Sequence, residues 1–323
     1  MNGPLISIRV PATSANLGAG FDSLGMALSL YNVFNVMKLQ PCGLFSCDVV
    51  GEGFSESELT SARSNMVIRS YIRACEIWNV SPRGFVLECH NVIPLCRGLG
   101  SSSTAVVAGV VLANLISGRH APESELLRVM TVIEGHPDNV VPCYLGGMTV
   151  CCWDGMDLRH VKLPPLPEDI HVVAAVPDVQ VRTPDARNSL PREVPFGDAV
   201  FNLGRAALLS AAWATGQWDL LSWGMEDRLH QPYRSRLFPG GEVIMDRVRS
   251  LPGCFGVAIS GSGPTIVALV RGAPGSVAST LCRTFSEYGV TSRFFVLQGS
   301  AGGCRFTVRR PSSEEESDYL IAM

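Results

Sequence analysis

"IPLCRGLGSSSTAVVAGVVLANL", residues 93–115, decides how the rest of the chain is read. A short apolar segment enters a turn carrying Gly98 and Gly100, a run of hydroxyls from Ser101 to Thr104 follows, and then a row of small apolar residues. This order predicts a helix from about Ser102 to Leu115 with serines at its N-cap and first turn. A glycine-rich turn lets successive backbone N–H groups converge, and the unpaired N–H groups and dipole of a helix start favour an anion. The stretch therefore has the chemistry of a phosphate loop. It lacks the lysine of GxxxxGK[ST], and the only two lysines are Lys38 and Lys162, which excludes a Walker-type NTPase; the glycine spacing is not that of a GxGxxG dinucleotide fingerprint either. Taken alone, the stretch reads equally well as a capped buried helix behind a tight turn.

The composition narrows the field. At 323 residues, with 46% hydrophobic and 17% charged residues, the chain is long for one domain and has ample material for a packed core. A net charge of -3 and a pI near 6.1 give no electrostatic footprint for nucleic acid. The longest apolar run, Ala105 to Ile116, is too short to span a bilayer, and the N-terminal apolar stretch breaks at Arg9 without a basic leader, so a cytoplasmic protein without a membrane partner is expected. Eleven cysteines, an odd number with no secretory signal, are expected to be reduced thiols serving as small buried hydrophobes. The absence of CxxC and HExxH spacing argues against a zinc or redox site.

Periodicity gives a mixed organisation. Leu5 to Val10 reads as a strand ended by Pro11, Leu28 to Leu39 contains another, and Gly84 to Cys89 alternates again. Asn65 to Trp78 places Val67, Ile68, Tyr71, Ile72 and Cys75 at helical spacing. The proline-rich "VKLPPLPEDI", residues 161–170, is the most linker-like segment and predicts two domains, 1–164 and 165–305, ahead of a polar tail, 306–323. The second part reads as strand His171 to Val176, helix Asp198 to Thr215, strands Phe255 to Ile259 and Thr265 to Val270, and helix Ala273 to Tyr288. An α+β fold class follows. The tail, "RRPSSEEESDYLIAM", is expected to fray.

Three further segments give the loop its context. "VPATSANLGAGFDSLGMAL" (10–28) joins a strand to a glycine-bearing loop with Asn16 and Asp22; "EGHPDNVVPCYLGG" (134–147) clusters Glu134, His136, Asp138 and Asn139; "GVAISGSGPTIVAL" (256–269) sets a glycine loop between two strands. With "GLGSSS" they resemble the GHMP small-molecule kinase superfamily, and within it the chain is similar to the homoserine kinases from about residue 5 to 300. The resemblance implies a two-domain fold, an N-terminal ribosomal-protein-type βαβ domain followed by a ferredoxin-like one, with the active site in the cleft. It further implies ATP-dependent phosphorylation of the side-chain hydroxyl of L-homoserine in threonine biosynthesis, with Mg²⁺ as cofactor, and it is compatible with a homodimer.

Carried over residue by residue, the likeness assigns ATP to Asn65, to the loop Pro94, Leu95, Cys96, Arg97, Gly98, Leu99, Gly100, Ser101, Ser102, Ser103 and Thr104, and to Gly261, Ser262 and Gly263 of "SGSGPT". Ser102 and Glu134 would hold the metal. Many relatives have two alanines where this chain has Ser103-Thr104, so Ser103 stands beside Ser102 as a rival hydroxyl. "TPDARNSLP" and "EDRLHQPYRSRLFP" match homoserine-kinase segments and single out Thr183, Arg187 and Arg234 for the acceptor carboxylate. Arginine forks suit a carboxylate, and an ammonium calls for carboxylates or amide oxygens. Asn16, Asp22 and Asp138 are accordingly assigned to the amine and to orientation, His136 and Asn139 to the edge of the hydroxyl pocket. Glu134, Asp138 and Arg187 form the expected catalytic set. Phosphoryl transfer passes through a loose transition state that needs no strong base, and Asp138 is the candidate if one is used. Two alternatives remain open at this stage. A mevalonate-type or sugar kinase would share the phosphate loop without the Arg187 and Arg234 segments, and a non-catalytic regulator of the same fold would be expected to have lost Ser102 or Glu134.

Overall fold

The computed structural model describes residues 3–309; the expected frayed tail from residue 310 onward lies outside them. In the first half, β1 (Ile6–Ala15), β2 (Leu24–Gln40) and β3 (Phe45–Gly51) precede α1 (Ser57–Thr60), α2 (Met66–Trp78) and β4 (Gly84–Asn91). Then come α3 (Ser101–Ile116), α4 (Glu123–Glu134), α5 (Pro137–Leu145), β5 (Met148–Trp153) and β6 (Leu158–Leu163). The second half holds β7 (Ile170–Pro177), α6 (Thr183–Asn188), α7 (Phe196–Thr215), α8 (Leu221–Gly224), α9 (Gln231–Arg234) and α10 (Gly241–Arg249). It ends with β8 (Cys254–Ile259), β9 (Ile266–Arg271), α11 (Pro274–Glu287), β10 (Ser292–Leu297) and β11 (Arg305–Val308).

Two sheets result. The first runs β11-β1-β2-β4-β3, with β5 on β2 and β6 on β5; β3 and β4 pair in parallel across α2 as a βαβ unit. The second is antiparallel in the order β10-β7-β9-β8, the strand arrangement expected of a ferredoxin-like half. Its tail boundary needs correction: residues 305–308 form β11, which returns to the first sheet and pairs with β1, Ile6 opposite Val308. The polar, acidic stretch from residue 309 onward sets the tail's character, but residues 306–308 ahead of it, with Phe306 and Val308, supply an edge strand's alternation.

The linker is also tighter than expected. Lys162 and Leu163 belong to β6, and within 164–169 Leu166 is 8% exposed while Pro164 O accepts the indole N–H of the buried Trp213 (2.8 Å). Leu17, Leu24, Met26 and Leu99 of the first half share one apolar cluster with Ile170, Val172, Trp213 and Met225 of the second. The halves therefore meet over a continuous core, and the loops between their strands are held in fixed register.

Three local features position the site. β1 continues through Pro11, because a register shift between Pro11 and Ala12 absorbs the missing N–H; the strand carries Thr13 and Ser14 inward. α3 is buried nearly all round, as its uniformly apolar sequence dictates. A Cβ on Gly109 would lie 2.6 Å from Val67 O and 2.7 Å from Tyr71 N, so glycine is what lets α3 lie this close to α2. All eleven cysteines are free thiols, but Cys42, Cys96 and Cys152 are exposed, which corrects the expectation of uniform burial. Among the described residues no helix is long and apolar enough to cross a membrane.

Candidate active site

A concavity of about 510 Å³ opens between the halves. Its wall is apolar at Leu59, Met66, Val67, Leu95 and Val106, glycine- and hydroxyl-rich along residues 98–103, and charged at Asp22, Glu134, His136, Asp138, Arg187 and Arg234.

Residues 94–100 reach this wall in left-handed conformations: Cys96 has φ 51°, Gly98 79° and Gly100 69°. α3 starts one residue earlier than predicted, at Ser101, and its N-cap is Gly100, with no side-chain cap bond. The hydroxyls stand inside the first turn, and among the described residues no side chain caps the N–H groups at the helix start. That is the arrangement that binds an anion. The loop after β8 braces it: Ser260 Oγ donates to Gly98 O (2.7 Å) and lies in hydrogen-bond contact with Ser14 Oγ (2.9 Å), and Gly261 N donates to Ala15 O (3.2 Å). A Cβ on Gly98 would fall 2.1 Å from Ser260 O, so this brace requires glycine.

Two expected nucleotide contacts stand behind the wall. Thr104 is fully buried, its Oγ donating to Ser101 O (2.7 Å) and accepting from Asn32 Nδ2 (3.1 Å), and Gly263 N is spent on Ser260 O (2.8 Å). Both shape the loop and do not line the cavity. The hydroxyl run made Thr104 look accessible, whereas helical geometry turns the fourth position inward. Asn65 reaches the wall, with its polar atoms engaged: Oδ1 accepts from Val67 N (3.0 Å) and Ile68 N (3.4 Å) to cap α2, and Nδ2 donates to Leu59 O (2.8 Å).

Glu134 is the last residue of α4, where a carboxylate opposes the helix dipole. Ser103 Oγ donates to its Oε1 (2.5 Å). Burial raises the Glu134 carboxyl above its usual range, against the charge of His136 and the Ser103 hydrogen bond; the Ser102 hydroxyl acts in the same lowering sense. Gly135 ends α4 in a left-handed turn, and Pro137 starts α5, which places His136 and Asp138 at the same corner. His136 Nδ1 donates to Asp138 Oδ1 (2.5 Å); burial alone would lower His136, and Asp138 overcomes it, so the imidazole titrates above its usual value. Asn139 Oδ1 accepts from Thr13 Oγ (2.8 Å).

Two arginines reach the cavity from the second half. Arg187 forks onto Asp22, Nη2 to Oδ1 at 2.8 Å and Nη1 to Oδ2 at 3.0 Å, so two residues expected at opposite ends of one ligand hold each other. Thr183, at the start of α6, lines the same wall. Arg234 is 2% exposed; its Nη1 donates to Gly261 O (2.7 Å), its Nε has no hydrogen-bond partner among the described residues, and its guanidinium carbon lies 5.0 Å from the Phe21 ring centroid. Burial, then the neighbouring Arg187, lowers its pKa to about 10, which leaves it cationic at neutral pH. Asn16, in a left-handed turn at φ 70°, donates from Nδ2 to the same Gly261 O (3.1 Å) and accepts from Asp22 N (3.0 Å). Ligand atoms of Asp22, His136 and Asp138 come within 4.8 Å of one another.

Sequence reading passed over Asn32, whose Oδ1 accepts from Val92 N (2.8 Å) and Ile93 N (3.1 Å) to fix the entry to the phosphate loop. An asparagine inside the apolar alternation of β2, itself 1% exposed, was the signal. Phe21, beside Arg234, and Arg182, which also lines the cavity, had no such signal.

The sequence matches the GHMP kinases N terminal domain over residues 65–147 and the GHMP kinases C terminal domain over residues 206–287. It is 44% identical over 287 residues to a homoserine kinase of Carboxydothermus hydrogenoformans, covering 88% of this chain and 91% of that one. It is 38% identical to a homoserine kinase of Halothermothrix orenii, covering 90% and 92% respectively. The crystal structure of homoserine kinase from Cytophaga hutchinsonii superposes with a TM-score of 0.78 at 29% identity, over 94% of this chain and 97% of that one.

Proposed function

The chain belongs to the GHMP kinases and, within them, to the homoserine kinases, and from that membership we propose how its residues carry the reaction. The reaction is transfer of a phosphoryl group from ATP to the side-chain hydroxyl of L-homoserine. One observation carries the residue assignment: an uncapped, glycine-headed helix start and a buried cationic arginine open onto the same cavity.

The phosphate loop holds the donor's phosphates through backbone N–H groups, and the apolar wall at Met66, Val67 and Val106 takes the base. A divalent cation suits the donor set, since Glu134 and the serine hydroxyls are hard oxygen ligands, and a carboxylate held above its usual pKa by burial gains from a nearby positive charge. Ser102 and Glu134 would hold Mg²⁺, with Ser103 keeping Glu134 in place; bound there, the ion neutralises phosphate charge. Arg234 takes the acceptor carboxylate from a fixed position, and Arg187 approaches it from its fork on Asp22 with Thr183 alongside. Asp22 and Asp138, with Asn16 orienting Asp22, receive the ammonium. His136 and Asn139 border the hydroxyl, and Asp138 is placed to accept its proton. Positioning and charge neutralisation carry most of such a step.

An ADP-release assay with ATP and Mg²⁺ tests the reading. Turnover is expected with L-homoserine and not with mevalonate or a hexose; equal turnover with the latter acceptors would remove the substrate assignment.

A further inference from the structure

The segment that carries Arg234 is held by a side chain that touches nothing in the cavity. Arg234 ends α9, a single turn that cannot hold itself in place. Immediately before it, the fully buried Asp227 accepts four N–H donors. Its Oδ1 takes Asn202 Nδ2 (2.8 Å) and Leu229 N (3.0 Å), and its Oδ2 takes His230 N (2.9 Å) and Gln231 N (2.6 Å). Asn202, on α7 and 3% exposed, completes the set by accepting Arg228 N (2.8 Å). Four consecutive backbone N–H groups, 228–231, thus converge on one amide and one carboxylate. From this turn His230 Nε2 donates to Gly18 O (2.8 Å) while its ring stacks on Phe21 at 5.2 Å, and Arg234 reaches Gly261 O.

We propose that Asp227 is a positioning residue for acceptor binding: braced by Asn202, it fixes the turn from which α9 presents Arg234 to the acceptor carboxylate. This rests on the reading that Arg234 binds that carboxylate. A buried carboxylate is costly unless its hydrogen bonds are complete, and here every one of its four donors orders the same turn or its brace. Nothing in this set touches the phosphate loop, so the effect should fall on one substrate.

Asp227→Asn keeps the volume and replaces one acceptor oxygen by an N–H₂ facing N–H donors. It should raise the Michaelis constant for homoserine at least about tenfold, leave that for ATP within about twofold, and add little on top of Arg234→Ala. Asn202→Ala, which removes only the brace, should move the same constant in the same direction by less, and it carries the test if Asp227→Asn does not fold. An unchanged homoserine constant in Asp227→Asn or, failing that, in Asn202→Ala, with Arg234→Ala costly, overturns the proposal alone. So does an equal rise in both Michaelis constants. A silent Arg234→Ala overturns the reading of Arg234 itself, and the proposal with it.

Discussion

The two sides of the cavity are built by different means. The side proposed to hold the donor's phosphates is one contiguous stretch that offers backbone N–H donors, aimed by left-handed glycines and by a helix start that no side chain of the described residues caps. The side proposed to take the acceptor gathers charged side chains from four segments, with Asp22 and Arg187 165 positions apart and Asn16 245 from Gly261. A backbone site is fixed by where glycine is allowed and tolerates most side-chain changes around it. A convergent side-chain site depends on each member and on the scaffold that brings the members together.

Where the two sides meet, at Glu134, a single substitution is expected to have the largest effect. Glu134→Gln keeps size but removes the carboxylate facing the phosphate region, so turnover should fall about 100-fold or more. The carboxyl's pKa is raised in the fold, so its ionisation costs stability as pH rises from the unfolded carboxyl's pKa up to the raised value, and the full cost is present above it. The melting temperature at neutral pH should therefore hold or rise. Near-normal turnover at saturating Mg²⁺ would show that Glu134 belongs to neither side's chemistry. Arg234→Ala comes next and confines the damage to the acceptor side. Truncating one partner of a desolvated charge pair commonly costs about 2–5 kcal/mol, which should appear in the Michaelis constant for homoserine and not in that for ATP. With the arginine gone, an amino-alcohol acceptor lacking the carboxylate should lose little more. Additive losses would mean that Arg234 supports the Gly261 loop and does not bind ligand.

The same contrast explains what was legible in the sequence. "GLGSSS" could be read from local stereochemistry, because positive φ and an open helix start leave their mark in adjacent residues. The helix begins at Ser101, one position before the expected Ser102, and Thr104, counted with the loop, turns inward. Strands and helices with clear periodicity, such as β7 and α2, were placed to within a residue. β11 was missed since four residues, the first an arginine and the next residue after them another, carry too little pattern, and Pro11 misled because its bulge depends on the partner strand. On the acceptor side, Arg187 and Arg234 were found through family likeness among 24 arginines. That Arg187 is forked on Asp22, and that Asp227 holds the turn before Arg234, depend on contacts over long sequence distances which no local rule encodes.

Gly98→Ala probes the phosphate side in its own terms. The substitution removes no functional group, yet its Cβ would meet Ser260 O at 2.1 Å in a backbone with φ 79°. The loop must shift, and the Michaelis constant for ATP should rise about tenfold, a shift of about 1.4 kcal/mol, within the roughly 1–3 kcal/mol expected for such strain. The homoserine constant should stay within about twofold, the mirror image of Arg234→Ala. A rise in both would show that the brace through Ser260 couples the sides more tightly than their separate construction suggests.

The smallest effect concerns stability alone and distinguishes a side built from buried charges from one built from backbone. His230 is fully buried, with Asp227 at 3.7 Å and Arg234 and Asp22 acting on it, and burial lowers its pKa below the usual value of an imidazole. The unfolded chain therefore takes up a proton near pH 6.5 that the fold rejects. His230's contribution is complete above that pH and is lost as pH falls below it, by at most about 1.4 kcal/mol per pH unit. His136 shifts the opposite way, so the wild-type profile mixes the two, and a variant is needed to separate them. His230→Gln retains an N–H donor for Gly18 O without a titrating ring. Between pH 7.5 and 5.5, urea unfolding should show the wild type losing more stability than the variant, with the homoserine and ATP constants at pH 7.5 little changed. Equal losses would mean that His230 is protonated in the fold as readily as in the unfolded chain, and that Asp227 serves as its counter-ion as well as the cap of the turn before Arg234.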